Sequence, residues 1–194
     1  MKFTSLFLAV LGSTALVQQA TAADFSYDNL SVNYIDADYT VFNDDYAFTG
    51  YGLNSRFAVA ENTYVYGKLA QLTNDDYAFE PKIQTAQLGA GLYVPFSGAI
   101  DFNASIGYFK QNIEFGALID TDDTGFVMTA GLIAQVGQTA EIQVEAENFL
   151  VDGESDTMMS FAARFHASKH LVPELTAQKS NDFQSFGAGL QFRF

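Results

Sequence analysis

Polar and apolar residues alternate with period two along most of this chain, most cleanly at its end. Phe186, Ala188, Leu190, Phe192 and Phe194 fall on one face, and Ser185, Gly187, Gly189, Gln191 and Arg193 on the other. Successive side chains of a strand point to opposite faces, whereas a helix repeats every 3.6 residues, so the pattern specifies strand. It also specifies a strand with one apolar face that must be covered. A second sheet covers it in a soluble sandwich. In a transmembrane barrel lipid covers it, and the polar face lines the interior.

The pattern recurs. Tyr51, Leu53, Phe57 and Val59 oppose Gly50, Gly52, Asn54 and Arg56. Leu88, Ala90, Leu92 and Val94 oppose Gln87, Gly89, Gly91 and Tyr93. Phe102, Ala104, Ile106 and Tyr108 oppose Asp101, Asn103, Ser105 and Gly107. Ile142, Val144 and Ala146 oppose Glu141, Gln143, Glu145 and Glu147, and Met159, Phe161, Ala163 and Phe165 oppose Ser160, Arg164 and His166. Phe126, Met128, Ala130 and Leu132 mark a further strand. Segments 25–36 and 63–72 are less regular, and the outward face of 63–72 stays open.

Connections sort by length. Short ones near 60–62, 97–98, 137–139 and 168–170 alternate with generally longer, acidic ones near 37–45, 73–81, 113–124, 151–156 and 179–182. Fourteen of the 23 acidic residues lie in that second set. Short turns at one end and longer loops at the other fit a membrane barrel; a soluble sandwich has no reason to sort them so. A hexapeptide at 43–48 recurs at 74–79, about one hairpin later, and its Tyr and Phe suit an aromatic girdle at the membrane boundary.

Ten segments result. The weakest, 171–178, contains Pro173, which cannot donate to a ladder. It is retained because the strands before and after it run the same way and need one ascending between them. The expected fold is all-β: a transmembrane antiparallel up-and-down β-barrel of ten strands. Eight is the alternative, which demotes 157–167.

Composition agrees. Charged residues make 16 % of the chain, against about 25 % in soluble domains. The chain has 19 Phe and 10 Tyr, which suit pleated surfaces, and no Cys, so no disulfide framework is expected. The amino terminus reads as an export signal, not as part of the fold. Lys2 is the positive region, 6–17 a mostly apolar core, and Ala20-Thr21-Ala22 a small-x-small cleavage site. Cleavage is expected after Ala22, with Ala23 as the alternative, leaving one domain at 23–194. The apolar stretch is shorter than the roughly 20 residues of a spanning helix. Without Lys2 the net charge falls from −14 to −15, which argues against nucleic acid as a partner.

The segments 25–30 (FSYDNL), 88–92 (LGAGL) and 186–194 (FGAGLQFRF), together with the signal, resemble the small outer-membrane β-barrel domain family of Gram-negative bacteria. The resemblance spans 23–194. It implies export through the periplasm to the cell outer membrane, among lipid and lipopolysaccharide. It implies too that the barrel-assembly machinery reads the terminal strand through Phe186, Leu190, Phe192 and Phe194. A monomer is expected.

The alternation turns Arg56, Arg164, Arg193, Asp101, Glu141, Glu145 and Glu147 inward, with Lys68 joining them on one phase of its strand. Unpaired buried charge is costly, so these should pair. Two readings follow: an ion-paired plug, or a charged constriction in a narrow pore. Ten strands leave little more room than eight, whose side chains fill the interior, which favours the plug. His166-Ala167-Ser168 resembles the His-x-Ser pair of lipid A deacylase barrels, but the Glu expected about a dozen residues later is absent: 178–180 read Gln, Lys, Ser. The pair also falls at the periplasmic end. No enzymatic activity and no cofactor are expected. The acid clusters at 120–123 and 152–156 match no EF-hand loop and read as solvated surface rather than a cation site. The expectation is a non-enzymatic barrel serving envelope structure or surface interaction; a narrow diffusion channel and a lipid A-modifying enzyme are the alternatives.

Overall fold

The computed structural model describes residues 25–41, 44–75, 81–115 and 119–194. The export signal, with Ala20 and Ala22, lies outside them, as do most of the second hexapeptide copy and the first residue of the first.

Ten strands form the wall: β1 (Asn29–Val41), β2 (Asp44–Ala60), β3 (Thr63–Thr73), β4 (Lys82–Ser97), β5 (Ile100–Phe115), β6 (Ile119–Val136), β7 (Ala140–Val151), β8 (Glu154–Phe165), β9 (Leu171–Lys179) and β10 (Phe183–Arg193). Each pairs antiparallel with its sequence neighbours, and β1 pairs with β10 to close the barrel. The tenfold count holds, and Pro173 sits just past Glu174, where the β8–β9 ladder ends. Closure leaves no sheet edge, so every wall peptide can find a partner inside the protein.

The outer face is a belt of exposed apolar side chains, including Leu88, Ile106, Phe126, Leu132 and Phe186. Nothing among the described residues covers it, and an uncovered apolar belt of this extent requires a bilayer. β3 now has a phase: Val65 and Leu69 face out, while Tyr64, Tyr66, Lys68 and Leu72 face in.

The acidic connections differ from expectation. A bilayer crossing takes about 9–11 strand residues, yet β6 has 18 and β2 has 17. The surplus projects past the belt, carrying Asp120, Asp122 and Asp123 as strand residues. The β7–β8 link shrinks to a hairpin through Asp152 (φ 51°) and Gly153 (φ 88°), the backbone that a two-residue turn demands. Along the β6 extension Asp120, Thr121, Asp122 and Asp123 place polar residues on both faces, so alternation fades there before the strand ends.

Candidate functional site

The site with the most chemistry is the lumen, filled in three layers. At the end where Phe25 and Phe194 lie, residues ahead of β1 fold across the mouth. Tyr27 stacks on Tyr93 with ring centroids 3.8 Å apart and on Tyr64 at 5.5 Å. Its hydroxyl donates to Asp101 Oδ2 at 3.2 Å. Burial, with the Asp101 carboxylate beside it, pushes the Tyr27 pKa up, so the hydroxyl keeps its proton. Tyr66, Ile133 and Phe25 complete this cluster. Tyr64 and Tyr66 fit because the adjoining wall of β4 and β5 has glycines there: a Cβ on Gly91 would collide with the Tyr64 ring, and one on Gly107 with Tyr66.

The second layer is ionic and is organised by β7. Its inward face reads Glu141, Gln143, Glu145 and Glu147, all buried. Arg56 reaches across from β2 to Glu145 at 2.8 Å, and Lys68 from β3 to Glu147 at 2.5 Å. On the near side Arg164 bonds Glu141 at 2.8 Å and also pairs with Glu174 of β9. Arg193 bonds the other Glu141 oxygen at 2.9 Å, with His166 Nε2 3.3 Å from that oxygen. Arg56 and Lys68 also lie over the Tyr64 and Tyr66 rings, at 5.3 and 5.9 Å, tying the aromatic layer to the ionic one. In low dielectric each strut is strong only because both partners are present.

The third layer, towards the loop end, is apolar. Ala37, Phe48, Leu72, Ile83, Ile113 and Phe115 pack together, with Ile35, Tyr39, Tyr46 and Phe183 against them. Phe48, 1 % exposed, meets Phe115 edge-on at 5.9 Å. The hexapeptide's Tyr46 and Phe48 are thus interior residues, not girdle residues. Their parity with Gly50, Gly52 and Arg56 already required it.

Of the residues singled out in sequence, Arg56, Glu141, Glu145, Glu147, Arg164 and Arg193 come together in the ionic layer. Asp101 faces inward but meets Tyr27 instead of a cation. Phe186, Leu190, Phe192 and Phe194 face outward, and Phe194 stacks on Phe57 of β2 with centroids 6.4 Å apart. Glu174, 3 % exposed and paired with Arg164, belongs to the ionic layer too, although it is not among the lumen charges expected from sequence. The alternation Val172, Glu174, Thr176, Gln178 would have turned it inward. Ser168 Oγ accepts from the backbone N–H groups of His170 and Leu171, and no hydrogen bond joins it to His166 among the described residues. No group of three or more His, Asp or Glu that could hold a metal occurs among them either.

Between aromatic and ionic layers there remains a lumenal cavity of about 100 Å³, reached by Asn29, Asn54, Ser160 and Thr176. Small-molecule sites run to roughly 300–1,000 Å³.

No family model and no curated protein sequence matches the chain. Solved structures with a similar fold include an outer membrane channel from Pseudomonas putida F1 (TM-score 0.53, 7 % identity, covering 91 % of this chain and 98 % of that one). They also include Ail, the attachment invasion locus protein of Yersinia pestis (0.46, 14 %, 86 % and 97 %), and the KdgM porin (0.48, 10 %, 84 % and 99 %). Closed wall, lipid-facing belt and filled interior together make this fold that of an outer-membrane β-barrel.

Proposed function

We propose that this chain is a non-enzymatic integral barrel of the outer membrane that serves envelope structure or surface interaction, with a lumen closed to solutes. The observation that carries the reading is the double closure of the interior: crossed ion pairs in one half, and an apolar cap in the other. Opening a path would leave buried charges without partners and part the Phe48–Phe115 contact, each costly. Ser168, engaged by the N–H groups of His170 and Leu171, and His166, turned to Glu141 and Arg193, support the absence of a nucleophile–base pair. Liposomes carrying the refolded protein should swell in small sugars no faster than empty ones; faster swelling would favour the narrow channel. An unchanged lipid A profile on overexpression is expected, and a new acyl pattern would favour the enzyme.

The terminal end faces the periplasm in this reading, lipid and lipopolysaccharide surround the belt, and the assembly machinery engages β10. Phe194 follows β10 and reaches past β1 to Phe57, so it lies across the β1–β10 seam that closes the barrel. Deleting Phe194 should cut the heat-modifiable barrel in the outer membrane several-fold and leave chain in the periplasm. Wild-type levels would contradict the assembly role.

A further inference from the structure

The outer wall is not evenly convex. Across β1 to β5 a groove of about 480 Å³ opens on the lipid side, built by two neighbouring rows of the ladder. The lower row runs Val32, Leu53, Leu69 and Ala86 and ends at Lys110. It is an aliphatic floor, deepest where small Ala86 stands between Leu69 and Lys110. The upper row runs Tyr34, Tyr51, Gln71, Gln84 and Asn112. Tyr51 forms a wall, 67 % exposed and propped edge-on by Tyr34 at 5.6 Å.

One row therefore separates an aliphatic surface from three side-chain amides in succession. Gln84 Nε2 donates to Gln71 Oε1 at 3.1 Å, which leaves the Gln71 NH₂ and the Gln84 carbonyl unspent. Asn112 Oδ1 is buried without a partner. Lys110 Nζ donates to Asp122 at 2.9 Å, and an ammonium has three donors.

We infer that this groove seats a phosphorylated glycolipid of the leaflet at the loop end. Its acyl chain lies along Leu53 and Leu69, its sugar hydroxyls meet the amide row, and its phosphate meets Lys110. Hydroxyls both donate and accept, as do amides, so three amides in line suit a sugar better than an ethanolamine phosphate. The floor lies within the lipid-facing belt, which a soluble partner cannot reach. The proposal deepens the reading above, since it takes the loop end to face the outer leaflet.

The test is native mass spectrometry of the protein refolded in micelles, titrated separately with lipid A and with phosphatidylethanolamine. Wild type should retain one lipid A preferentially. The double variant Gln71→Ala, Gln84→Ala should weaken it about tenfold, as loss of one or two hydrogen bonds implies, and Lys110→Ala similarly. Lys179→Ala, an exposed lysine on β9 outside the groove, should leave it unchanged. Equal retention of both lipids, no lipid A adduct, or an equal loss in Lys179→Ala would overturn the inference. Micelles expose both ends, so this result is independent of orientation. Labelling of Ser155→Cys on intact cells by a membrane-impermeant maleimide supports the outer leaflet; protection would overturn the leaflet and, with it, the reading above.

Discussion

Replacing Glu141 with alanine should cost about 3–5 kcal/mol of barrel stability, the usual penalty for stranding a buried charge. Glu141 is the hub of the terminal half of the lumen. It accepts from Arg164 at 2.8 Å and from Arg193 at 2.9 Å, and His166 lies beside it. Its removal leaves two guanidinium groups facing each other. Arg164 would retain Glu174 and Gln143, but Arg193 would keep only the Gln191 amide oxygen at 2.8 Å and His166. Glu141→Gln preserves shape and one acceptor and should lose less. The check is the urea midpoint of protein refolded in vesicles; an unchanged slope assigns the shift to stability rather than to a different unfolded state. A loss below about 1 kcal/mol would mean the pairs behave as exposed ones do.

Phe48→Ala should be comparably severe, about 3–5 kcal/mol, for a different reason. The ring is buried in the apolar cap against Phe115, with Ala37, Leu72, Ile83 and Ile113 around it. Truncation removes the transfer energy and leaves a cavity that a closed wall cannot collapse around. Phe126→Ala is the contrast: that ring is 57 % exposed on the outer face, so lipid can fill its place. If the two variants lose equally, the loop half of the lumen is not a packed core.

Where alternation is strict, sequence carries most of this architecture. Parity along β4, β5, β7 and β10 fixes which side chains meet lipid and which meet the lumen, and the direction of β10 demands the weak strand at Pro173. The same parity rule, applied to β9, would have brought in Glu174. Other features lie beyond any period-two argument. Tyr27 precedes the first strand, and its seat depends on Tyr93, Tyr64 and Asp101 converging from three strands. The apolar cap escapes notice because Phe48, Ile83 and Phe115 are each ordinary in their own segments and become a layer only when the barrel closes. The β6 extension looks like a loop because Asp120, Thr121, Asp122 and Asp123 make both its faces polar.

The closed lumen proposed above requires that nothing pass through this barrel. Planar-bilayer recording of the purified, refolded protein tests that most directly. The wild-type protein should give no steady unitary current at moderate voltage. Steady unitary currents that change with Glu145→Ala or Arg164→Ala would contradict the closed lumen and place an open path through the ion-paired layer.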